Sequence, residues 1–123
     1  MKEKCNEANT VFIGKFIGAS CSNNPVPKPD NLLDEEVMVD ILFDVAVLNA
    51  AQNVKPSVLR EHNIENQTFI FNKYKIDSIT YHQNQRYYAS KVDKYKRMHK
   101  KVLERLEQVK SQTNDAFGNK EKK

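Results

Sequence analysis

The chain has 123 residues, a formal net charge of +4 and a hydrophobic content of 39%, which leaves room for one small domain. With three glycines and four prolines, the composition favours helices over a turn-rich β fold. Both cysteines, Cys5 and Cys21, precede the segment that can pack, and this excludes a core disulfide or a cysteine-rich metal site.

Residues 1–20 form a signal-like segment. A basic start is followed by an apolar run at residues 11–17 and by small residues before Cys21. This order is typical of the end of a bacterial lipoprotein signal, in which the cysteine is acylated and becomes the mature N-terminus. Lys15 interrupts the run, so the signal is degenerate, and the run is too short and too charged to span a bilayer. The pattern predicts lipidation at Cys21.

Residues 21–30 are polar, with proline at every second position from 25 to 29. Such a segment favours an extended backbone that cannot become helix or core. We therefore predict a disordered tether. A tether directly after a candidate lipidated cysteine is what a membrane-anchored domain needs.

A helical domain is predicted over residues 31–110. Its first helix has Asn31 or Asp34 as the cap and runs to about Ala51. Four apolar positions step by 3, 4 and 3 along it and form one stripe: Met38, Ile41, Val45 and Leu48. We expect this helix to be largely buried.

Asp44 lies among the apolar residues of this helix, and a partly buried carboxylate needs a hydrogen-bond donor. The structural interpretation is a bond to a tyrosine hydroxyl or to a base of the last helices. The functional alternative is an active-site acid.

The middle of the chain has weaker patterns. We predict a loop with about one helical turn after Pro56, and then a short apolar helix that includes Phe69 and Tyr74 and is capped by Asn66. Asp77 or Ser78 is the predicted cap of the next main helix.

That helix ends at the adjacent pair Tyr87 and Tyr88. Neighbouring side chains on a helix point about 100° apart, so at most one ring faces the core squarely. Ser90, with Asp93 three residues later, resembles a capping box and predicts the start of the last helix. The apolar positions of the last helix step by 3, 4, 4 and 3: Tyr95, Met98, Val102, Leu106 and Val109.

The resulting fold class is all-α, a small bundle of three to four helices. From residue 111 to residue 123 the chain is polar and lysine-rich, which predicts a disordered tail.

Charge is distributed unevenly along the domain. Residues 30–44 hold six carboxylates and no base, whereas residues 91–110 hold eight bases against three acids. One interpretation is a pair of charge-complementary helices in one bundle. The alternative is a nucleic-acid or anionic-surface binding domain. In that case the basic side chains of the last helix contact phosphates, and the interleaved tyrosines stack on nucleobases.

No enzyme, metal site or cofactor is predicted. His62, His82 and His99 are not placed in pairs on one helix face with a carboxylate, as a helical metal site requires. The sequence also lacks a glycine-rich phosphate loop and a serine or cysteine nucleophile with a credible base.

Several pieces of the domain carry a resemblance to a known family: residues 33–44, 71–77 and 86–90, Tyr95, and residues 102–106. In this order and spacing the chain resembles, over about residues 30–110, a family of small Bacteroidota lipoproteins known as domain of unknown function 4296. The resemblance implies a helical domain behind a lipidated cysteine, which maps to Cys21, in the cell envelope. It implies no reaction and no ligand.

Two further expectations follow from the resemblance. No acidic run follows Cys21, which favours the periplasmic face of the outer membrane. Residues 77–79 are similar to the O-glycosylation acceptor motif of these bacteria, so Ser78 is a possible glycosylation site as well as a candidate helix cap. We expect a non-enzymatic module that binds or scaffolds an envelope protein near Asp44, Tyr87 and Tyr88; the oligomeric state is left open.

Overall fold

The computed structural model describes residues 25–118, and within this part of the chain all regular structure is helical. The five helices are α1 (Glu35–Val54), α2 (Pro56–Glu61), α3 (Asn66–Tyr74), α4 (Ser78–Ala89) and α5 (Val92–Gly118). The all-α prediction is confirmed. The two short helices, α2 and α3, correspond to the turn expected after Pro56 and to the short apolar helix.

The core is built around α1, which contacts α2, α3 and α5. Three of the four positions of its predicted stripe are buried: Met38, Ile41 and Leu48. Val39, which lies outside that stripe, is buried completely, so α1 packs on more than one side. By length and composition, α1 is also apolar enough to cross a membrane, a property that core helices of soluble proteins share.

α5 runs parallel to α1, and the two helices pair by charge. Lys101 forms an ion pair with Glu36, and Arg105 Nη1 lies 2.5 Å from Asp40 Oδ1. Both pairs join positions that are 65 residues apart, so the two helices advance together in one register. The acidic and basic helices are therefore neighbours in one bundle. These pairs are partly exposed, and such a pair contributes about 0.2–1 kcal/mol.

The end of α5 differs from the prediction. Met98 and Val102 are buried as the spacing predicts, but Val109 is 46% exposed and does not belong to the core. The helix also continues to Gly118, so residues 111–118, predicted to be part of a disordered tail, are helical and exposed. Every residue from 111 to 118 is exposed, so this last stretch of α5 adds nothing to the core.

The cap of α3 also differs from the prediction. Glu65 caps this helix, accepting from Thr68 N at 2.7 Å and from Gln67 N at 3.3 Å, while Asn66 is the first helical residue. Hydrogen bonds from Thr68 hold the pKa of Glu65 below its usual value. The two carboxylate oxygens of Glu65 thus accept from two of the N–H groups that the first turn of a helix leaves without intrahelical partners.

At the next two helix starts, one predicted cap is found and one is wrong. Asp77 Oδ1 accepts from Thr80 N at 2.7 Å and caps α4, which leaves Ser78 as the first residue of that helix. Ser90 does not cap α5, because its backbone is helical and its Oγ donates to Tyr87 O at 2.6 Å. Ser90 thus closes α4 instead of opening α5.

Candidate functional site

The chain ahead of α1 is fixed to α4 by a buried amide. Asn84 is completely buried; its Oδ1 accepts from Leu33 N at 2.8 Å, and its Nδ2 donates to Asn31 O at 2.8 Å and to Thr80 O at 2.9 Å. Every hydrogen-bonding group of the amide is engaged, two of the three bonds being tertiary. Sequence reasoning missed this residue.

Tyr88 completes the attachment. Its hydroxyl donates to Leu33 O at 2.5 Å, and burial raises the pKa of that hydroxyl. Farther back, Pro29 is buried and Val26 is half-buried, and both line one cleft together with Arg86 of α4. We name residues 26–33 the docked segment. The expectation of a disordered tether up to residue 30 is therefore wrong from residue 26 onward, whereas residues 1–24, with the predicted signal and Cys21, lie outside the described part.

Asp44 joins α1 to α3. Its Oδ2 accepts from the Tyr74 hydroxyl at 2.6 Å and from Lys73 Nζ at 2.6 Å, and 17% of its side chain is exposed. Burial, followed by the bond to Asp44, raises the pKa of Tyr74. A tyrosine hydroxyl and a base hold this carboxylate, as the structural interpretation requires, but both come from α3 and not from the last helices.

The predicted cluster of Asp44 with Tyr87 and Tyr88 is not assembled. Tyr88 is turned toward Leu33, and Tyr87 packs edge-on against Tyr88, with ring centroids 5.5 Å apart. Lys91 Nζ lies 5.3 Å from the centre of the Tyr87 ring. The pair stabilises the corner between α4 and α5, and the Tyr87 side chain is half-buried there.

The basic face of α5 is partly engaged within the bundle. Lys101 and Arg105 pair with α1. Lys94, Lys96 and Arg97 are exposed. Contacts to nucleic-acid phosphates need several available basic side chains on one surface. The two ion pairs therefore reduce the number of basic side chains on α5 that could contact phosphates.

One face of α1 is acidic near the start of the helix and apolar farther along. Six positions share this face because they are spaced by 4, 3, 4, 3 and 4 residues: 36, 40, 43, 47, 50 and 54. Its first two members are the carboxylates that pair with α5. The other four are apolar and form what we call the outer stripe: Phe43, Val47, Ala50 and Val54. Phe43 is half-buried, but Val47 is 41% and Val54 is 84% exposed.

A second concave surface, which we call the side cleft, lies between α1, α3 and α4. Its volume is about 220 Å³. It is lined by Val45, Leu48, Asn49, Asn66, Gln67, Ile70, Phe71, Tyr81 and His82. The floor is apolar and the rim carries amides and an imidazole.

The possible glycosylation site lies at the start of a helix. Ser78 is exposed at the start of α4, next to the carboxylate that caps the helix. Within residues 25–118, no three histidine, cysteine or acidic side chains are grouped in a way that could hold a metal ion.

Comparison with known proteins identifies the family. No curated protein and no solved structure matches the chain. A family model described as domain of unknown function, DUF4296, matches residues 29–112, a span that begins inside the docked segment and includes all of α1 to α4. This match confirms the domain family predicted from the residues. The chain therefore belongs to the DUF4296 family.

Proposed function

We propose that this protein is a non-enzymatic binding module of the cell envelope, anchored through a lipid on Cys21 at the periplasmic face of the outer membrane, and that the outer stripe contacts a protein partner. The observation that carries the proposal is the exposure of the outer stripe. Exposed apolar side chains that lie next to one another are typical of protein contact surfaces, and Val47 and Val54 of the outer stripe are 41% and 84% exposed.

The geometry of the docked segment supports a close anchor. Cys21 precedes Val26, the first docked residue, by five positions, and five extended residues span at most about 18 Å. An anchored domain would therefore have the α4 end near Arg86 close to the lipid surface, because Val26 and Arg86 line the same cleft.

In an anchored domain, the same geometry would keep the proposed partner surface away from the lipid. Leu33 is bound to the end of α4 by Tyr88, so α1 begins at the anchored end of the domain. Its 20 residues extend for about 30 Å. Val47 and Val54 lie in the distal half of that length, where an envelope protein can reach them without meeting the membrane.

Site-specific photo-crosslinking tests the proposal. A photoreactive residue at position 47 is expected to capture one defined envelope protein, and Val54→Glu in the same chain should abolish the product, because a charge in an apolar contact is costly. Leu103 is the matched control position, being an apolar residue of α5 that is 62% exposed. Identical products from positions 47 and 103, or none from position 47, would refute the partner surface.

A further inference from the structure

The side cleft has the dimensions of a site for one small planar group. Its volume of about 220 Å³ lies below the ~300–1,000 Å³ of sites for drug-sized ligands. Leu48 and Ile70 are buried at its floor, and Val45 is half-buried beside them. A flat apolar group that enters the cleft therefore removes these side chains from water.

The wall of the side cleft is aromatic. Phe71 and Tyr81 have ring centroids 6.0 Å apart at an interplanar angle of 55°, and Tyr81 and His82 have centroids 5.2 Å apart at 63°. Aromatic rings prefer tilted, edge-to-face or offset contacts with other rings. These three side chains thus favour a further aromatic ring over an aliphatic group of the same size.

The rim contains a hydrogen-bond acceptor that lacks a donor. Asn66 Oδ1 is buried, and no donor reaches it among the described residues. The other end of the same amide makes a long bond of 3.4 Å from Nδ2 to Asn49 Oδ1. A buried acceptor without a donor is uncommon in native proteins and destabilising, so a rotation of the Asn66 amide that turns Oδ1 toward the cleft would allow it to accept from an N–H group of a ligand.

We infer that the side cleft binds a planar aromatic ring that carries an N–H donor, as in indole. The aliphatic floor and the aromatic wall contact the ring, and Asn66 accepts the N–H bond after a small rotation of its amide. A free indole-type molecule and the tryptophan side chain of a polypeptide share this chemistry. The site is independent of the outer stripe, because the cleft uses Val45, Leu48 and Asn49 on another side of α1.

Titration of the isotopically labelled protein with indole, followed by amide resonances, tests the inference. Saturable shifts are expected at Asn66, Gln67 and Phe71, and 1-methylindole, which lacks the N–H, is expected to bind about tenfold more weakly. N-acetyltryptophanamide identifies the source: tighter binding than indole indicates a polypeptide side chain, and weaker binding indicates a free small molecule. Absence of saturable shifts, or equal affinity for indole and 1-methylindole, would overturn the inference.

Two variants localise the contact. Asn66→Ala should lower the affinity for indole to that for 1-methylindole, whereas Asn72→Ala, an exposed amide of the same helix that does not line the side cleft, should leave it unchanged. If Asn66→Ala unfolds, the ratio of the two ligands on the unmutated chain reports the same hydrogen bond. An undiminished preference for indole in a folded Asn66→Ala variant would contradict the assignment.

Discussion

Replacement of Asn84 by alanine should release the docked segment and destabilise the whole domain. The substitution leaves Leu33 N without its acceptor and Asn31 O without its donor. Leu33 is half-buried and Asn31 is exposed, so water can replace the second partner but not fully the first. One buried unsatisfied group costs about 1–3 kcal/mol, and we expect a loss of about 2 kcal/mol.

Urea unfolding followed by far-ultraviolet circular dichroism measures this loss. In a domain of this size, a loss of about 2 kcal/mol lowers Tm by roughly 8–16 °C. Ile79→Ala, on α4 with 65% of its side chain exposed, should change the free energy of unfolding by less than about 0.5 kcal/mol. Hydrogen exchange at Leu33 N should accelerate selectively in Asn84→Ala. A loss below about 0.5 kcal/mol, or unchanged exchange at Leu33, would refute the claim that Asn84 holds the segment.

Three further outcomes are expected. Because the pKa of Tyr74 is raised in the folded protein, its contribution to stability is complete below about pH 10, the pKa in the unfolded chain, and declines as pH rises above that value. The free energy of unfolding of Tyr74→Phe should therefore lack this alkaline decline. If stability depends on pH in the same way in the variant and the unmutated chain, the assignment is contradicted. Truncation after Lys110 removes exposed helix and should reduce helical signal with less than about 0.5 kcal/mol lost; a larger loss would show that the end of α5 packs. A double-mutant cycle of Arg105→Met and Asp40→Asn should give a coupling of about 0.2–1 kcal/mol that weakens with salt, and zero coupling would remove the pair from the account.

Much of the fold could be predicted because its determinants are local. The spacing of Met38 and Ile41 on α1, and of Met98 and Val102 on α5, indicates which side of each helix is buried, and the structure confirms it. The opposite charges of the two helices also predict their contact. Val109 fits the same spacing but is exposed, because periodicity identifies a helix face and does not tell where the neighbouring helix stops covering it.

The helix ends were harder to predict because several residues compete for each cap. Glu65 and Asn66 are adjacent, and either could cap α3. Which of them does so depends on which residue is the first with a helical backbone. Ser90 has the right sequence neighbours for a capping box, yet it bonds to the helix behind it. Only two residues separate α4 from α5. An N-cap residue needs an extended backbone, and Ser90 has a helical one, so it cannot cap α5.

The candidate site was the least predictable part because its contacts join distant positions. Leu33 meets Asn84 across 51 residues and Tyr88 across 55, and Asp44 meets Tyr74 across 30. One signal was present in the sequence: Asn84 and Tyr88 are four residues apart and so share a face of α4. A polar side chain on the buried face of a helix indicates a satisfied tertiary bond, although its partner cannot be read from spacing.

Metabolic labelling with radioactive palmitate tests the central claim of an anchored envelope module most directly. The unmutated full-length chain, expressed in a bacterium that processes lipoproteins, should incorporate label and fractionate with the outer membrane, whereas Cys21→Ala should do neither. Because Cys21 lies outside the docked segment, the substitution should leave the folded domain intact, as circular dichroism can verify. Absence of label in the unmutated chain, or equal label in both chains, would contradict the account.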